Sequence, residues 1–242
     1  GKPVQYLYWV GCSAAFDQRN HHIARSMVKI LRAANISFGV MAEERCHAEV
    51  GRRLGEEYLF QTAAEENAAN MKQYTFDRIL VHCPHCMNTI RHEYPQFDAT
   101  YEVVHHTTLI ADLLARKTIA PKLAQQEQIA LHDPCYLGRH NGEYEAPRAV
   151  LAAVGNATTV ELAANRERAT CCGGGGGQMW TETHARKRIN IIRSEEILAS
   201  GAKTVAVGCP HCLTMLDSGA ASLDAKERMK VRDLAEIVAD AL

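Results

Sequence analysis

Short apolar runs alternate along the chain with longer stretches whose apolar residues recur every three or four positions. The runs at 5–10, 36–41, 78–82, 101–104, 128–131, 158–162, 204–207 and 229–231 predict β-strands. Between them, 21–34 carries Ile23, Met27, Ile30 and Leu31 on one face and predicts an amphipathic helix. A long helix is predicted over 51–73, with Leu54, Tyr58 and Leu59 on one stripe, and further helices over 109–116, 145–154, 183–199 and 234–242. This alternation argues for an α/β fold with a mainly parallel sheet. In such sheets ligands bind beyond the carboxyl ends of the strands.

Composition narrows the function classes. The 242 residues are 47% hydrophobic and carry a formal net charge of −1, which suits a folded globular chain and excludes disorder. There is no basic excess of the kind that nucleic-acid binding requires, so nucleic acid is not an expected partner. No apolar run approaches the roughly 18 residues of a membrane helix. No secretory leader pattern is visible, and the chain starts at Gly1, which reads as a processed product or part of something longer.

The chemistry lies in nine cysteines: Cys12, Cys46, Cys83, Cys86, Cys135, Cys171, Cys172, Cys209 and Cys212. A disulfide scaffold fits poorly, because the number is odd and the chain is large for a stapled domain. Two Cys-Pro-His-Cys tetrads, at 83–86 and 209–212, read better as metal-ligand loops. Cys46 lies 37 positions before Cys83, and Cys172 lies 37 before Cys209. The chain is therefore an internal duplication, expected to form a first lobe over 1–120 and a second over 128–242, related by a pseudo-twofold axis and joined through 117–127. Cys12, Cys83, Cys135 and Cys209 each follow a predicted strand, where a parallel sheet places its ligand crevice.

The halves are not equal. The second has Cys135, the pair Cys171-Cys172, Cys209 and Cys212, whereas the first has Arg45 opposite Cys171 and so only four thiols. Five thiolates exceed the four of tetrahedral zinc and suit a polynuclear iron–sulfur centre; four fit zinc, a 2Fe–2S or a 4Fe–4S cluster equally. Gly173–Gly177 reads as a loop passing close to a bulky group, since glycine permits such approach. His132 and His140 bracket Cys135 and are candidates to donate to sulfur, and Arg139 is a candidate to balance an anionic centre.

A lone Cys, then Cys-Cys-Gly, then Cys-x-x-Cys, given twice, resembles the cysteine-rich CCG domain of the heterodisulfide reductases and related iron–sulfur oxidoreductases. Trp9-Val-Gly-Cys-Ser, His132-Asp-Pro-Cys-Tyr-Leu-Gly-Arg-His-Asn and Cys171-Cys-Gly with Met179-Trp180 are similar to electron-transfer-flavoprotein:menaquinone oxidoreductases. The resemblance implies two Rossmann-like lobes. It also implies a non-cubane 4Fe–4S cluster on Cys135, Cys171, Cys172, Cys209 and Cys212, which would be both ligands and the reactive centre. It leaves the Cys12, Cys46, Cys83 and Cys86 set with a simpler iron–sulfur cluster, zinc or nothing. The implied activity is electron passage from a flavoprotein or ferredoxin-type donor to quinone or a disulfide; alternatives are a heterodisulfide or thiol–disulfide reductase and a structural zinc module. The implied partners are an electron-transfer flavoprotein and a ferredoxin-type or membrane haem part. The implied location is cytoplasmic, or peripheral at the inner membrane face through a missing region or partner.

Overall fold

The computed structural model describes residues 2–182 and 186–242. In chain order the elements are β1 (Val4–Trp9), α1 (Gly11–Phe16), α2 (His21–Ala33), β2 (Phe38–Gly39), α3 (Glu49–Arg53), α4 (Glu57–Met71), β3 (Phe76–Val81), α5 (Pro84–His92), β4 (Val103–His105) and α6 (His106–Ala115). There follow β5 (Lys122–Leu131), α7 (Glu145–Ala153), β6 (Gly155–Glu161), α8 (Ile189–Ala199), β7 (Thr204–Val207), α9 (Pro210–Ser222), β8 (Lys230–Asp233) and α10 (Leu234–Asp240).

The eight strands among the described residues form two parallel sheets, ordered β2-β1-β3-β4 and β6-β5-β7-β8. The order is the same once the halves are superposed in sequence, as a duplication requires. Helix α2 packs on α10, and α6 packs on α7. By position in the halves, α2 corresponds to α7 and α6 to α10, so exchanging the halves exchanges these two contacts. That is the signature of a pseudo-twofold interface. Its apolar part joins Ile23, Met27, Ile30 and Leu31 of α2 to Ile237 and Val238 of α10 in one buried cluster. Its polar part includes Arg19–Glu236 at 2.6 Å and the fully buried His106–Asp233 pair at 2.9 Å.

Three sequence expectations change. The single helix over 51–73 is two, because Gly55 takes φ +96° between α3 and α4. That break rotates the stripe: Leu54, Tyr58 and Leu59 are exposed, and Phe60, Ala64, Ala68 and Met71 face inward. The stretch read as a linker over 117–127 is already strand from Lys122. The helix predicted from 183 begins at Ile189, and residues 183–185 lie outside the described residues.

Candidate metal centre

The tetrads are helix starts as well as ligand loops. Cys83 and Cys209 are the extended residues just ahead of α5 and α9, and Pro84 and Pro210 are the first helical residues. Proline suits that position, because its φ is preset and its missing N–H would have had no partner. Cys86 and Cys212 then sit one turn on, beside their partners. The unpaired first-turn N–H groups of both helices favour negative charge there.

The sulfurs converge. In the second half, Cys135, Cys171, Cys172, Cys212 and Cys209 form an unbroken series in which each thiol shifts the titration of the next. In the first half Cys12 meets Cys46 and Cys83 meets Cys86, with Cys83 close enough to Cys12 to act on its charge. Cys83 and Cys209 also shift each other's titration, so the two sets act on each other across the lobe boundary. Hydrogen bonds from Cys135 and Cys172 pull the Cys171 thiol down to about 2, and the hydrogen bond from Cys12 pulls Cys46 down to about 7. In each set one thiol is thus shifted by its neighbours toward the thiolate, the form that binds metal.

The surroundings close more tightly on the second set. Cys172, Cys209 and Cys212 are buried, whereas Cys46 is exposed. The glycine loop lies against one of these sulfurs: a Cβ at Gly174 would stand 3.7 Å from Cys172 Sγ and 3.0 Å from Met215, and one at Gly175 would stand 3.6 Å from His85. Gly173 and Gly177 take φ +82° and +80°, conformations that glycine alone adopts without strain. A ring nitrogen of His132 and the Sγ atoms of Cys172 and Cys212 lie within 4.8 Å of one another. His132 Nε2, His211 Nδ1 and Trp9 Nε1 are buried with no hydrogen-bond partner among the described residues. Buried polar atoms normally find partners. Orphans gathered around converging thiols fit a bound group with acceptor sulfurs.

Other expected residues fall elsewhere. Arg139 is exposed at the surface and donates to the carbonyls of Glu167 and Ala169, tying down the segment that leads to Cys171. His140 is exposed and stacks on Tyr136 at 4.4 Å. Arg45, opposite the extra thiol, pairs at the surface with Glu66 at 3.1 Å. Trp9 is buried beside the first set, while Trp180 is 64% exposed, its ring 6.1 Å from His211.

Sequence reasoning missed three groupings. Arg148 clamps Asp133, two residues before Cys135, through bonds of 2.7 and 3.0 Å. The buried Glu49 carboxylate accepts from the Tyr136 hydroxyl at 2.5 Å and meets His85 Nδ1 at 3.3 Å, while His85 stacks on Tyr136 at 4.0 Å. Burial pushes the Glu49 carboxyl up, but His85 and Tyr136 outweigh it and hold it at about 2. The fully buried Arg193 carried a readable signal, since it shares the inward stripe of α8 with Asn190 and Ile197.

Two copies of a cysteine-rich domain model match this chain, at residues 6–91 and 129–217, each ending on its tetrad helix. The chain belongs to the cysteine-rich CCG family. As a CCG protein it is 39% identical over 243 residues to the probable iron-sulfur-binding oxidoreductase FadF of Bacillus subtilis, covering 100% of this chain and 34% of that one. It is 39% identical over 246 residues to the EtfAB:quinone oxidoreductase of Syntrophomonas wolfei, covering 98% and 34%. It is 29% identical over 243 residues to one component of the dihydromethanophenazine:CoB–CoM heterodisulfide reductase of Methanosarcina barkeri, covering 98% and 58%. This CCG chain therefore spans about a third of the length of the first two relatives. Among the described residues no helix is long and apolar enough to cross a membrane.

Proposed function

We propose that this chain is the iron–sulfur redox module of an oxidoreductase. Cys135, Cys171, Cys172, Cys209 and Cys212 hold a non-cubane 4Fe–4S cluster, and Cys12, Cys46, Cys83 and Cys86 hold a second, simpler iron–sulfur cluster. The observation that carries this reading is the unbroken series of interacting thiols, five in one crevice, joined to the other four through Cys83 and Cys209. Zinc sites close at four ligands, so five thiols in one crevice exceed what zinc uses. Bound there, such clusters supply electron transfer.

The chain's own groups then have defined tasks. The tetrad thiols orient the group on the helix starts. The glycine loop closes over the second set, and the buried walls exclude water, which tunes potential. The mutual influence of Cys83 and Cys209 supports electron passage between the two centres. Electrons enter from a flavoprotein or ferredoxin-type donor and leave to quinone or a disulfide; the names of the first relatives support both ends. Ferredoxin-type clusters and a membrane part would reside in the other two thirds of such a protein or in a second polypeptide, making this module peripheral to the inner face.

A second reading, reduction of a disulfide at the module itself, has one observation in its favour. A cavity of about 530 Å³ opens on Cys12 and Cys46, lined also by Met41, Val40 and Arg45. It lies at the first set, not at the second set where the sequence suggests a substrate. Turnover of a disulfide by the dye-reduced protein separates this reading from a relay. The primary test is metal content after anaerobic reconstitution: at least about four irons and four sulfides per chain are expected for the second set alone. Zinc without acid-labile sulfide would overturn the proposal and establish an interaction module instead.

A further inference from the structure

His132 has two possible roles toward the second set. Its ring is as close to Cys172 and Cys212 as a sixth ligand would be, yet it is also placed to donate a hydrogen bond to sulfur. The residue behind it decides. Arg193, in the middle of α8 and 0% exposed, places Nε 3.2 Å from His132 Nδ1. A guanidinium has only donors, so Nδ1 must accept. In the neutral ring the single proton then resides on Nε2. A protonated Nε2 has no lone pair for iron. It is the atom left without a partner among the described residues.

The first half has a counterpart. Trp9 stands three residues before Cys12, as His132 stands three before Cys135. It is 1% exposed, and its Nε1 likewise lacks a partner among the described residues. A Cβ at Gly11 would lie 3.4 Å from Cys86 Sγ and 3.9 Å from Trp9 Cδ1, so the pyrrole edge and that sulfur flank one spot. Indole nitrogen is a donor only. Both lobes therefore place an N–H donor at the same position, one fixed by chemistry and the other by Arg193. The inference also accounts for Arg193 itself. A fully buried cation is costly without an anionic partner. Arg193 bonds Glu196 at 2.7 Å and the Ala164 carbonyl at 2.9 Å, which leaves Nη2 unpartnered among the described residues. An anionic centre one imidazole away supplies the remaining compensation.

We infer that Arg193 is a positioning residue that locks His132 in its Nε2–H form, making it a hydrogen-bond donor to the second-lobe centre and not one of its ligands. This rests on the proposal that the five thiols hold an iron–sulfur centre. The donor and the cation behind it stabilise the more reduced, more anionic state, so they raise its potential.

The test uses the anaerobically reconstituted protein in a paramagnetic state, with 15N-labelled histidine. Electron–nuclear double resonance should show a proton coupling at the second centre that is lost in D2O, and no directly bonded histidine nitrogen. Arg193→Met should keep the iron and sulfide content, shift the potential of that centre to more negative values and weaken the exchangeable coupling. Arg193→Lys, which retains a donor, should recover most of both. A directly bonded nitrogen in the unaltered protein would overturn the inference, and so would an unchanged potential with an unchanged proton coupling in Arg193→Met. The unaltered protein decides between donor and ligand even if Arg193→Met fails to fold. Absence of iron and sulfide from the unaltered protein would instead overturn the underlying reading, and shows itself before any hyperfine measurement.

Discussion

The two lobes share a sheet order and a strand-end crevice, yet they present their thiols differently. In the second, three of five cysteines are buried under a glycine loop, and a histidine backed by an arginine stands behind them. In the first, Cys46 is exposed, a cavity opens beside it, and a tryptophan stands at the matching place. The difference begins at one position. Where the second half has Cys171, the first has Arg45, whose guanidinium turns outward to Glu66. Arg45 lines the cavity beside Cys12 and Cys46 while its charge is paired with Glu66, and the site is left open. The shared frame places sulfurs, and a few side chains per lobe decide access and charge.

The largest effect expected from that contrast is on the centres themselves. Cys172→Ser should abolish the spectrum of the second set and leave that of the first. Cys46→Ser should do the reverse. Iron, sulfide and electron paramagnetic resonance on the two variants check this. If both substitutions erase the same signal, the mutual influence of Cys83 and Cys209 has made the nine sulfurs one shared site, and the distinction between lobes fails.

A smaller effect concerns the last strands, β4 and β8, which end at matching places on His105 and Asp233. Asp233 caps α10 through the Ala235 N–H at 2.8 Å and accepts from His106 of the other lobe at 2.9 Å. His105 begins α6 without a side-chain cap and bonds only to the nearby Thr107, at 2.7 Å. Asp233→Ala should cost about 3 kcal/mol, because it strands a buried imidazole and removes a cap. His105→Asn should cost about 1 kcal/mol, since it removes one local hydrogen bond. Urea unfolding measures both. Equal losses would show that the interface does not depend on the Asp233 side.

Much of this is legible in the chain. All eight strands are, because parallel core strands are short apolar runs and the duplication repeats them. The place of the glycine loop beside Cys172 is also legible, since it follows from residue type and spacing. Helices α1, α5 and α9 are not. Each begins within or beside a cysteine motif, where Cys-Pro-His-Cys reads as a turn and the proline that suggests a stop is in fact the first helical residue. Arg139 and His140 mislead because their nearness to Cys135 in sequence suggests nearness in space; a tight turn carries both outward. The mutual influence of Cys83 and Cys209 joins residues far apart in the chain, and only the docking of the lobes creates it.

The finest test of the asymmetry uses His85, which lies between the lobes. Alignment of the tetrads puts Glu49 opposite Gly175, and both flank this ring: Glu49 by its carboxylate at 3.3 Å, Gly175 by its bare Cα face. Arg53 and Tyr136 also face the Glu49 carboxylate, at 3.3 and 2.5 Å. Its folded pKa of about 2 lies below the usual carboxyl value of about 4.3. A depressed carboxyl stabilises the fold fully above its unfolded pKa and loses that contribution as pH falls through the folded one. Glu49→Gln should therefore cost about 2 kcal/mol at neutral pH, the scale of hydrogen bonds to a charged group. The gap from the unaltered protein should hold down to about pH 5 and shrink steadily towards pH 3. Acid damage to the metal centres falls on both proteins and largely cancels in the difference. Gly175→Ala, which puts a methyl in ordinary contact with the same ring and adds no charge, should show little gap, and none that varies over this range. If the Glu49→Gln gap is equally flat from pH 7 to pH 3, the carboxylate adds only shape, and the first lobe's charge at the boundary is not what sets the two sides apart.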